Sequence, residues 1–372
     1  MRRIFRYIHK EADWPQFRWE ASELLGRLSK LRHLQGHLAG KMYALGFNLQ
    51  DETYLQTLSA DVIKSSEIEG EILDNDQVRS SIARRLGMDI NGLVESDRFV
   101  DGVVDMMLDA TQNYDQPLTE ERLFGWHAAL FPTGRSGMYK ILVGQWRDDS
   151  TGPMQVVSGA LGKERVHFEA PAAELLSEEM KAFLHWFNAK DDLDPVLKAA
   201  VAHLWFVTIH PFEDGNGRIA RAVSDLALSK AEGRPQKFYS MSTQMREDRK
   251  GYYASLEAAQ KGTVDITEWL VWFFDCMQKA IVASDKQVQK VMHKYQFWNT
   301  NKMVTFNERQ VKMIDLLFAD FYGNLTTSKW AKINKCSADT ALRDITDLLN
   351  KEILKKEGKG GRSTSYVLAD AD

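Results

Sequence analysis

The segment at residues 194–209, DPVLKAAVAHLWFVTI, constrains the fold most, because it is apolar on nearly every side. A helix without a polar face must be covered by other elements, so this segment predicts a buried central helix. Most of the other segments place apolar residues at three- and four-residue spacing, which is typical of amphipathic helices. The sequence therefore predicts a mainly α-helical protein packed around one buried helix.

Helical periodicity runs through residues 18–110 and through most of residues 118–290. Two short runs, MQVVSG and RVHFEAP, interrupt it and predict a β-hairpin. The stretch before them, PTGRSGMYKILVGQWRDDSTGP, is expected to be loop-rich. A polar stretch, HKYQFWNTNKM, is expected to break the helical pattern beyond residue 290. Three short helices and a second hairpin around Gly360-Gly361 should follow, which predicts a winged helix-turn-helix domain.

The chain has 372 residues, too many for one ordinary core. We therefore expect three parts, which are a helical N-terminal region at 1–110, a core domain at 111–295 and the winged-helix-like domain at 300–372.

The composition limits where the protein works and what it binds. The net charge of −4 gives no overall attraction to nucleic acid or anionic membrane, so such binding would need a local patch. Cys276 and Cys336 stand far apart in no metal-ligand spacing, which favours a reducing compartment. The N-terminus lacks an apolar signal core, and no apolar run approaches the roughly 20 residues that cross a bilayer. The prediction is a cytoplasmic protein with no membrane partner.

The twelve residues after the buried helix, HPFEDGNGRIAR at 210–221, concentrate polar and turn-forming residues. Pro211 cannot continue a helix, so the buried helix should end at His210. The sequence Gly215-Asn216-Gly217 permits positive φ and a close approach of a ligand to the backbone. A new helix begins there, and its free N–H groups and dipole predict an anion site.

The charged residues of this cluster suit a polyphosphate. Arg218 and Arg221 are three residues apart and share a helix face beside the N–H groups. Asp214 next to phosphates suits Mg²⁺, and His210 titrates near neutrality, which makes it the candidate general base. Each piece alone also fits a helix stop, a turn or a solvated face. A zinc site at His203 and His210 is disfavoured, because no third ligand lies nearby in the sequence.

This segment resembles the signature of the Fic family, H-P-F-x-[D/E]-G-N-G-R-x-x-R, and matches it at every fixed position. With the surrounding helices and hairpin, the resemblance extends over residues 110–290. Most Fic enzymes transfer AMP from ATP to a hydroxyl side chain of a target protein. The resemblance implies that His210 deprotonates a Ser, Thr or Tyr hydroxyl and that Asp214 holds Mg²⁺ on the α- and β-phosphates.

The resemblance also assigns the phosphate contacts. Asn216 and the amides of Gly215 and Gly217 would hold the α-phosphate, whereas Arg218 and Arg221 would hold the outer phosphates. Such a transfer needs positioning and charge neutralisation more than covalent chemistry, which agrees with the residues present.

Two further stretches resemble parts of the family. The hairpin matches the flap that lies over the nucleotide and pairs with the extended backbone of the target, and Arg165, Val166, His167 and Phe168 would lie nearest the nucleotide. The segment RKGYYASLEAAQKG resembles the adenosine side, which assigns Tyr252 and Gln260 to the ribose or base. Gln260 stands where some relatives carry Asn. An ordinary surface hairpin and a core aromatic are the alternatives.

The stretch Ser65-Ser66-Glu67-Ile68-Glu69-Gly70 matches the family's inhibitory pattern, [S/T]-x-x-x-E-[G/N], with Ser65, Glu69 and Gly70 at its fixed positions. Ser65 and Glu69 are one helical turn apart, and Glu69 would form a salt bridge that keeps Arg221 from the γ-phosphate. The motif precedes the core, which resembles the self-inhibited class II subgroup. A solvated acid beside a capping glycine is the alternative. Glu69 could also position a water that removes AMP from a modified target.

The C-terminal domain carries opposing signals for DNA binding. Its predicted wing holds four basic residues, which suit phosphate contacts: Lys355, Lys356, Lys359 and Arg362. Its recognition-like helix holds Arg343 but also three acids that repel phosphates: Asp339, Asp344 and Asp347. DNA and a protein partner both stay open.

The leading prediction is a self-inhibited protein adenylyltransferase that uses ATP and Mg²⁺ and modifies itself or a target docked on the flap. The resemblance also allows a homodimer. The alternatives are an enzyme that removes AMP through Glu69, transfer of a different phosphate-containing group, and a nucleotide-sensing regulator that binds DNA.

Overall fold

The computed structural model describes residues 7–88, 92–150, 152–159, 165–318, 321, 323–357 and 364–369. The chain forms two compact units, residues 1–285 and residues 286–372. The boundary predicted near residue 110 falls inside the first unit, and the three-part division stays a prediction. Within the described ranges, no helix is long and apolar enough to cross a membrane.

The described part of the first unit is built from helices and two small hairpins. Its helices are α1 (Ala21–Tyr43), α2 (Phe47–Ile68), α3 (Asn75–Arg85), α4 (Arg98–Gln112), α5 (Glu120–Leu130), α6 (Leu176–Asn188), α7 (Pro195–Ile209), α8 (Asn216–Glu232), α9 (Met241–Glu247), α10 (Arg249–Gln260) and the start of α11 (Thr267–Thr300). Antiparallel strands β1 (Arg135–Ser136) and β2 (Tyr139–Lys140) form one hairpin, and β3 (Gln155–Ser158) and β4 (Arg165–Glu169) form the other. The mainly α-helical prediction is confirmed.

Helix α7 is the buried centre that the sequence predicts. Pro195 occupies its first turn, and the Asp194 side chain caps it by accepting a hydrogen bond from the Val196 N–H. Thirteen of its fifteen residues are buried, and Lys198 is the charged exception. The helix packs against α6 and α8, so its C-terminal end holds a fixed position beside the start of α8.

The second unit contains α12 (Glu308–Phe318), α13 (Thr327–Asn334), α14 (Ala338–Asn350) and the antiparallel hairpin β5 (Leu354–Glu357) and β6 (Ser365–Leu368). Trp330, Ile345 and Leu354 belong to its own hydrophobic core. The predicted helices and hairpin are therefore present. The winged helix-turn-helix assignment stays a prediction, and Lys359 and Arg362 of the predicted wing lie outside the described residues.

The expected break in the helical pattern beyond residue 290 was wrong. Helix α11 continues to Thr300, through most of HKYQFWNTNKM. That stretch contains no Gly or Pro to end a helix, and Phe297 is a buried apolar position in it. The loop-rich expectation for residues 132–153 also missed the short hairpin of β1 and β2.

The buried His203 predicts that acid lowers the free energy of unfolding of this core. His203 lies inside α7 between Ser224 Oγ at 3.0 Å and the Tyr252 hydroxyl at 2.8 Å, and desolvation lowers its pKa to about 3. The unfolded chain binds a proton there below pH about 6.5, whereas the folded chain does not. We expect this residue alone to cost about 2 kcal/mol of stability at pH 5 relative to pH 8.

Urea unfolding at several pH values measures this loss. His203→Gln should show a shallower fall in stability between pH 8 and pH 5 than the wild type. The exposed His185 gives the matched control, because His185→Gln should leave the pH dependence unchanged. Equal slopes for His203→Gln and the wild type would contradict the prediction.

Candidate active site

His210 follows α7 in a strained backbone conformation. It caps the helix with φ +53° and ψ 58°, in the left-handed region that a non-glycine residue enters at a cost of about 1 kcal/mol. Its N–H donates to the Phe206 carbonyl at 3.0 Å, and its own carbonyl accepts from Arg147 Nε at 2.8 Å. The surrounding structure therefore holds this turn from both sides.

The imidazole of His210 is set up to accept a proton. Its Nδ1 lies 3.2 Å from the Val207 carbonyl, which can only accept, so Nδ1 carries the hydrogen and Nε2 keeps a lone pair. The side chain is half-buried, and desolvation lowers its pKa to about 4. The ring is therefore neutral at pH 7, which a general base requires.

The loop from Phe212 to Asn216 is closed by the Asn216 side chain. Its Oδ1 accepts from the Phe212 N–H at 3.0 Å, and its Nδ2 donates to the Phe212 carbonyl at 2.7 Å. Both polar atoms of the Asn216 side chain, which the resemblance assigned to the α-phosphate, are thus engaged within the loop. Gly215 has φ +81°, and a Cβ there would lie 2.9 Å from Phe131 Cε2, so this position requires glycine.

Asp214 stands half-buried just before α8. Its Oδ2 accepts from the Ser136 hydroxyl, which lies on β1, and its Oδ1 accepts from the Gly215 N–H at 2.5 Å. These two hydrogen bonds fix the orientation of the carboxylate. No local sequence pattern predicts the Ser136 contact, because 78 residues separate the two partners.

His127 of α5 forms a hydrogen bond to the same turn. Its Nδ1 accepts from the Gly144 N–H at 3.2 Å, so its Nε2 carries the hydrogen and donates to the Asp214 carbonyl at 3.2 Å. The ring stacks on Phe212 with centroids 4.1 Å apart. Desolvation lowers its pKa to about 4, so it stays neutral at pH 7. A single histidine on a helix offered no sequence signal for this role.

The Arg218 guanidinium is buried with donors that lack acceptors. The residue is 1% exposed and lies over the Phe131 ring at 5.1 Å. Its Nη1 is 3.9 Å from Glu71 Oε1, too far for a hydrogen bond. Among the described residues, nothing accepts from Nε or Nη1. A buried cation with unpaired N–H groups is costly, and an acceptor-rich anion would satisfy it.

Arg221, one turn further along α8, is engaged by α2. Its Nε donates to Ser65 Oγ at 2.8 Å, and its Nη2 donates to the Ser65 carbonyl at 2.9 Å and to Glu69 Oε1 at 2.7 Å. The residue is 2% exposed, and its buried Nη1 has no hydrogen-bond partner among the described residues. The structure therefore brings Glu69 to Arg221, as the resemblance implied, and adds Ser65 to the same contact.

The Glu69 carboxylate lies against the first turn of α8. Glu69 caps α2, and Gly70 follows with φ +89°, which ends the helix. A Cβ placed on Gly217 would overlap Glu69 Oε1. The Tyr253 hydroxyl donates to Glu69 Oε2 at 3.3 Å. An internal carboxylate thus occupies the positive N-terminal end of a helix, where an external anion would bind.

The predicted flap contacts α10 through two side chains that the resemblance assigned to the nucleotide. Arg165 Nη2 donates to Glu257 Oε1 at 3.0 Å, and His167 Nδ1 lies 2.7 Å from Glu257 Oε2. Phe168 is buried, whereas Val166 is 38% exposed. On strand β4, the Val166 side chain is therefore partly exposed, whereas the neighbouring Arg165 and His167 hold the strand against α10.

The two residues assigned to adenosine both point into the protein. Tyr252 is buried with its hydroxyl 2.8 Å from His203 Nε2, and Gln260 is buried with Nε2 3.5 Å from the Val207 carbonyl. The neighbouring Tyr253 is 38% exposed and is the tyrosine that reaches Glu69. The assignment of Tyr252 and Gln260 to adenosine stays a prediction.

Two family models match this chain. Residues 117–228 match the Fic/DOC family, and residues 7–88 match a domain of unknown function, DUF4172. The first match contains the whole signature. The second contains Ser65, Glu69 and Gly70.

Two curated proteins resemble parts of the chain. Protein adenylyltransferase fic-1 of Caenorhabditis elegans is 37% identical over 97 residues, which are 26% of this chain and 18% of that protein. Protein adenylyltransferase Fic of Nematostella vectensis is 37% identical over 115 residues, 30% of this chain and 25% of that protein. The matches thus span a quarter or less of these relatives.

A crystal structure of a Fic family protein from Desulfovibrio desulfuricans covers 93% of this chain and 97% of its own chain, with a TM-score of 0.50 and 20% identity. At that identity the likeness concerns the fold alone.

Proposed function

We propose that this chain, whose residues 117–228 match the Fic/DOC family, is a self-inhibited protein adenylyltransferase. It transfers AMP from ATP to a Ser, Thr or Tyr hydroxyl of a target protein or of itself. The observation that carries the proposal is the Glu69–Arg221 ion pair, which puts an internal anion on the anion site at the start of α8. The AMP transfer is supported by the likeness of part of the chain to two protein adenylyltransferases.

The proposed step joins the target to AMP and releases pyrophosphate. The target hydroxyl oxygen attacks the α-phosphorus, and the bond from that phosphorus to the oxygen bridging to the β-phosphate breaks. The hydroxyl proton goes to Nε2 of His210, the nitrogen that the Val207 contact leaves free. The lowered pKa keeps this nitrogen unprotonated at pH 7, so the base needs no prior deprotonation.

The two arginines of α8 supply the charge that a triphosphate needs. Among the described residues, nothing accepts from Nε and Nη1 of Arg218 or from Nη1 of Arg221, and departure of Glu69 would free a hydrogen on Nη2 of Arg221 as well. The first-turn N–H groups of α8 point to the same end of the helix. Phosphoryl-type transfer depends mainly on such positioning and charge neutralisation.

Asp214 fits a role in holding Mg²⁺ on the phosphates. It supplies carboxylate oxygens at a half-buried position beside the anion site, and Ser136 and Gly215 fix its orientation. Proteins usually hold Mg²⁺ through one or two carboxylates together with substrate phosphates, so a single aspartate suffices. The ion would neutralise phosphate charge.

The substitution Asp214→Asn tests whether AMP transfer depends on Mg²⁺ held by this carboxylate. In a Glu69→Gly background we expect the rate of AMP labelling to fall about tenfold or more, and the Mg²⁺ concentration for half-maximal labelling to rise, because the amide binds Mg²⁺ weakly. Labelling from α-labelled ATP across a Mg²⁺ titration measures both. The exposed Asp76 gives the control variant, Asp76→Asn, which should change neither. An unchanged Mg²⁺ titration for Asp214→Asn would contradict the role.

Removal of AMP through Glu69 is the second candidate. Oε1 of Glu69 accepts from Arg221, whereas the one hydrogen bond to Oε2 from the described residues is the long one from Tyr253, and the side chain is 29% exposed. That oxygen could activate a water. This reaction requires Glu69, so Glu69→Gly would abolish release of AMP from a modified target rather than raise its labelling.

A DNA-binding regulator is the third candidate, because two acidic residues of α14 form ion pairs with basic residues of the same unit. Asp344 binds Arg309 Nε at 2.7 Å, and Asp347 binds Lys351 Nζ at 2.6 Å. These pairings reduce the repulsion of phosphates by that helix. A gel shift with genomic fragments tests it, and salt-sensitive binding that survives His210→Ala would support this candidate. No shift at low salt would eliminate it.

A further inference from the structure

The strained turn at His210 needs a restraint that the signature itself does not contain. A non-glycine residue with φ +53° persists only where neighbouring groups determine its geometry. The carbonyl that follows this φ/ψ pair accepts from Arg147, 63 residues earlier in the chain. Arg147 lies outside the signature and outside the flap, in the segment between β2 and β3.

Arg147 is buried, and its groups reach both sides of the turn. Its side chain is 0% exposed, its Nε donates to the His210 carbonyl at 2.8 Å, and its backbone N–H donates to the Pro211 carbonyl at 2.9 Å. Arg147 therefore donates hydrogen bonds to two successive carbonyls of the turn that carries His210. The positive charge also lies at the C-terminal end of α7, where the helix dipole favours a cation.

The same guanidinium reaches the segment that follows the flap. Its Nη2 donates to the Pro171 carbonyl at 2.6 Å, two residues after β4 ends, and its Nη1 donates to Asp149 Oδ1 at 2.8 Å. Asp149 Oδ2 in turn accepts from the Ala173 N–H at 2.7 Å. A single planar group thus joins the turn that carries the base to the chain leaving the flap.

We infer that Arg147 is the positioning residue that sets His210 in its productive orientation relative to the flap. The inference rests on the proposed function. A misplaced base or target hydroxyl lowers the chemical rate steeply, because reacting groups must meet within a few tenths of an ångström. Arg147 contacts neither group in the reaction, so it acts through the backbone of His210 and through Pro171.

Arginine suits this role because its donors point in fixed directions in one plane. Lysine carries the same charge on a flexible stem with all donors at one atom, so it cannot serve three acceptors in three directions. Arg147→Lys therefore removes the planar arrangement of hydrogen-bond donors and keeps the positive charge, whereas Arg147→Gln removes both. Comparing the two separates positioning from electrostatics.

The variants are made in full-length protein carrying Glu69→Gly, and kcat and KM for ATP are measured by AMP labelling. We expect kcat to fall about tenfold or more in Arg147→Lys, with KM for ATP within about twofold of the parent, because the phosphate site is untouched. Thermal unfolding followed by circular dichroism identifies folded variants. If Arg147→Gln fails to fold, the lysine variant decides the question.

Arg122 provides the matched control. It too is largely buried, donates to the Asp109 carboxylate at 2.6 Å and to the Asp109 and Asn113 carbonyls, and lies near the end of α4. Arg122→Lys should leave both kcat and KM unchanged. An equal fall in kcat for Arg122→Lys and Arg147→Lys would mean general loosening and would overturn the inference.

A second readout does not depend on activity. NMR titration of labelled histidines in ligand-free protein should show the His210 resonances displaced in Arg147→Lys and unchanged in Arg122→Lys. Unchanged kcat and unchanged His210 resonances in Arg147→Lys would also overturn the inference. If no protein in the series incorporates AMP, the proposed function fails, and the His210 resonances alone then decide whether Arg147 sets that turn.

Discussion

Replacing Glu69 with glycine is expected to raise incorporation of AMP into protein on the order of tenfold to hundredfold, the usual range for a coupling of 1–3 kcal/mol. The carboxylate pairs with Arg221 at 2.7 Å and lies against Gly217, so it competes with a phosphate for the same donors. Removing it leaves Arg221 buried without its counter-ion, and an ATP phosphate can then take its place. Purified wild type and Glu69→Gly, incubated with Mg²⁺ and α-labelled ATP, measure the change.

Glu71 gives a matched control two residues away. Its Oε1 is 3.9 Å from Arg218 Nη1, so it lies near the same helix without a close ion pair. Glu71→Gly makes the same chemical change just after α2, and we expect it to alter labelling by less than about threefold. An equal rise in Glu71→Gly and Glu69→Gly would mean that loosening the end of α2 is enough, which would contradict the ion-pair account.

Calorimetry locates the effect at the phosphate site. Glu69→Gly should bind ATP more tightly than the wild type, because Nη2 of Arg221 becomes available. Glu69→Gln keeps the size of the side chain and loses its charge, so we expect an intermediate affinity. Equal ATP affinity in all three proteins would show that Glu69 does not occupy the phosphate site.

Replacing His210 with alanine in the Glu69→Gly protein is expected to lower AMP labelling by about 10²- to 10⁴-fold, the usual contribution of a general base. ATP affinity should stay within about twofold, because His210 contributes a base and not a phosphate contact. Labelling rates and calorimetry on the same preparations separate the two effects.

His185 supplies the control for this experiment. It is exposed on α6, and His185→Ala should leave the labelling of the Glu69→Gly protein unchanged. Persistent labelling in the His210→Ala protein would assign the proton transfer to another group. A parallel loss of ATP binding would show that His210 supports the nucleotide site.

The sequence predicted the parts of the fold and site that rest on local pattern. The buried α7, the turn at Pro211 and the start of α8 all follow from composition and spacing within the segment 194–221. The contact between Glu69 and Arg221 spans 152 residues, and only the resemblance to a family motif predicted it.

The rest of the site depends on contacts that no local pattern encodes. His127 and Arg147 reach the signature turn from 87 and 63 residues away, and each looks like an ordinary residue in its own segment. The tyrosine pair shows a different difficulty. Tyr252 and Tyr253 are neighbours on one helix, and only the packing of α10 decides which one is buried.

The most direct test of the central claim compares α-labelled and γ-labelled ATP on full-length Glu69→Gly protein with Mg²⁺, alone and with cell extract as a source of target. We expect label on protein from the α-position only, a mass increase of one AMP by mass spectrometry, and no label in Glu69→Gly with His210→Ala. Label from the γ-position, or no label from either nucleotide in any sample, would contradict a self-inhibited adenylyltransferase.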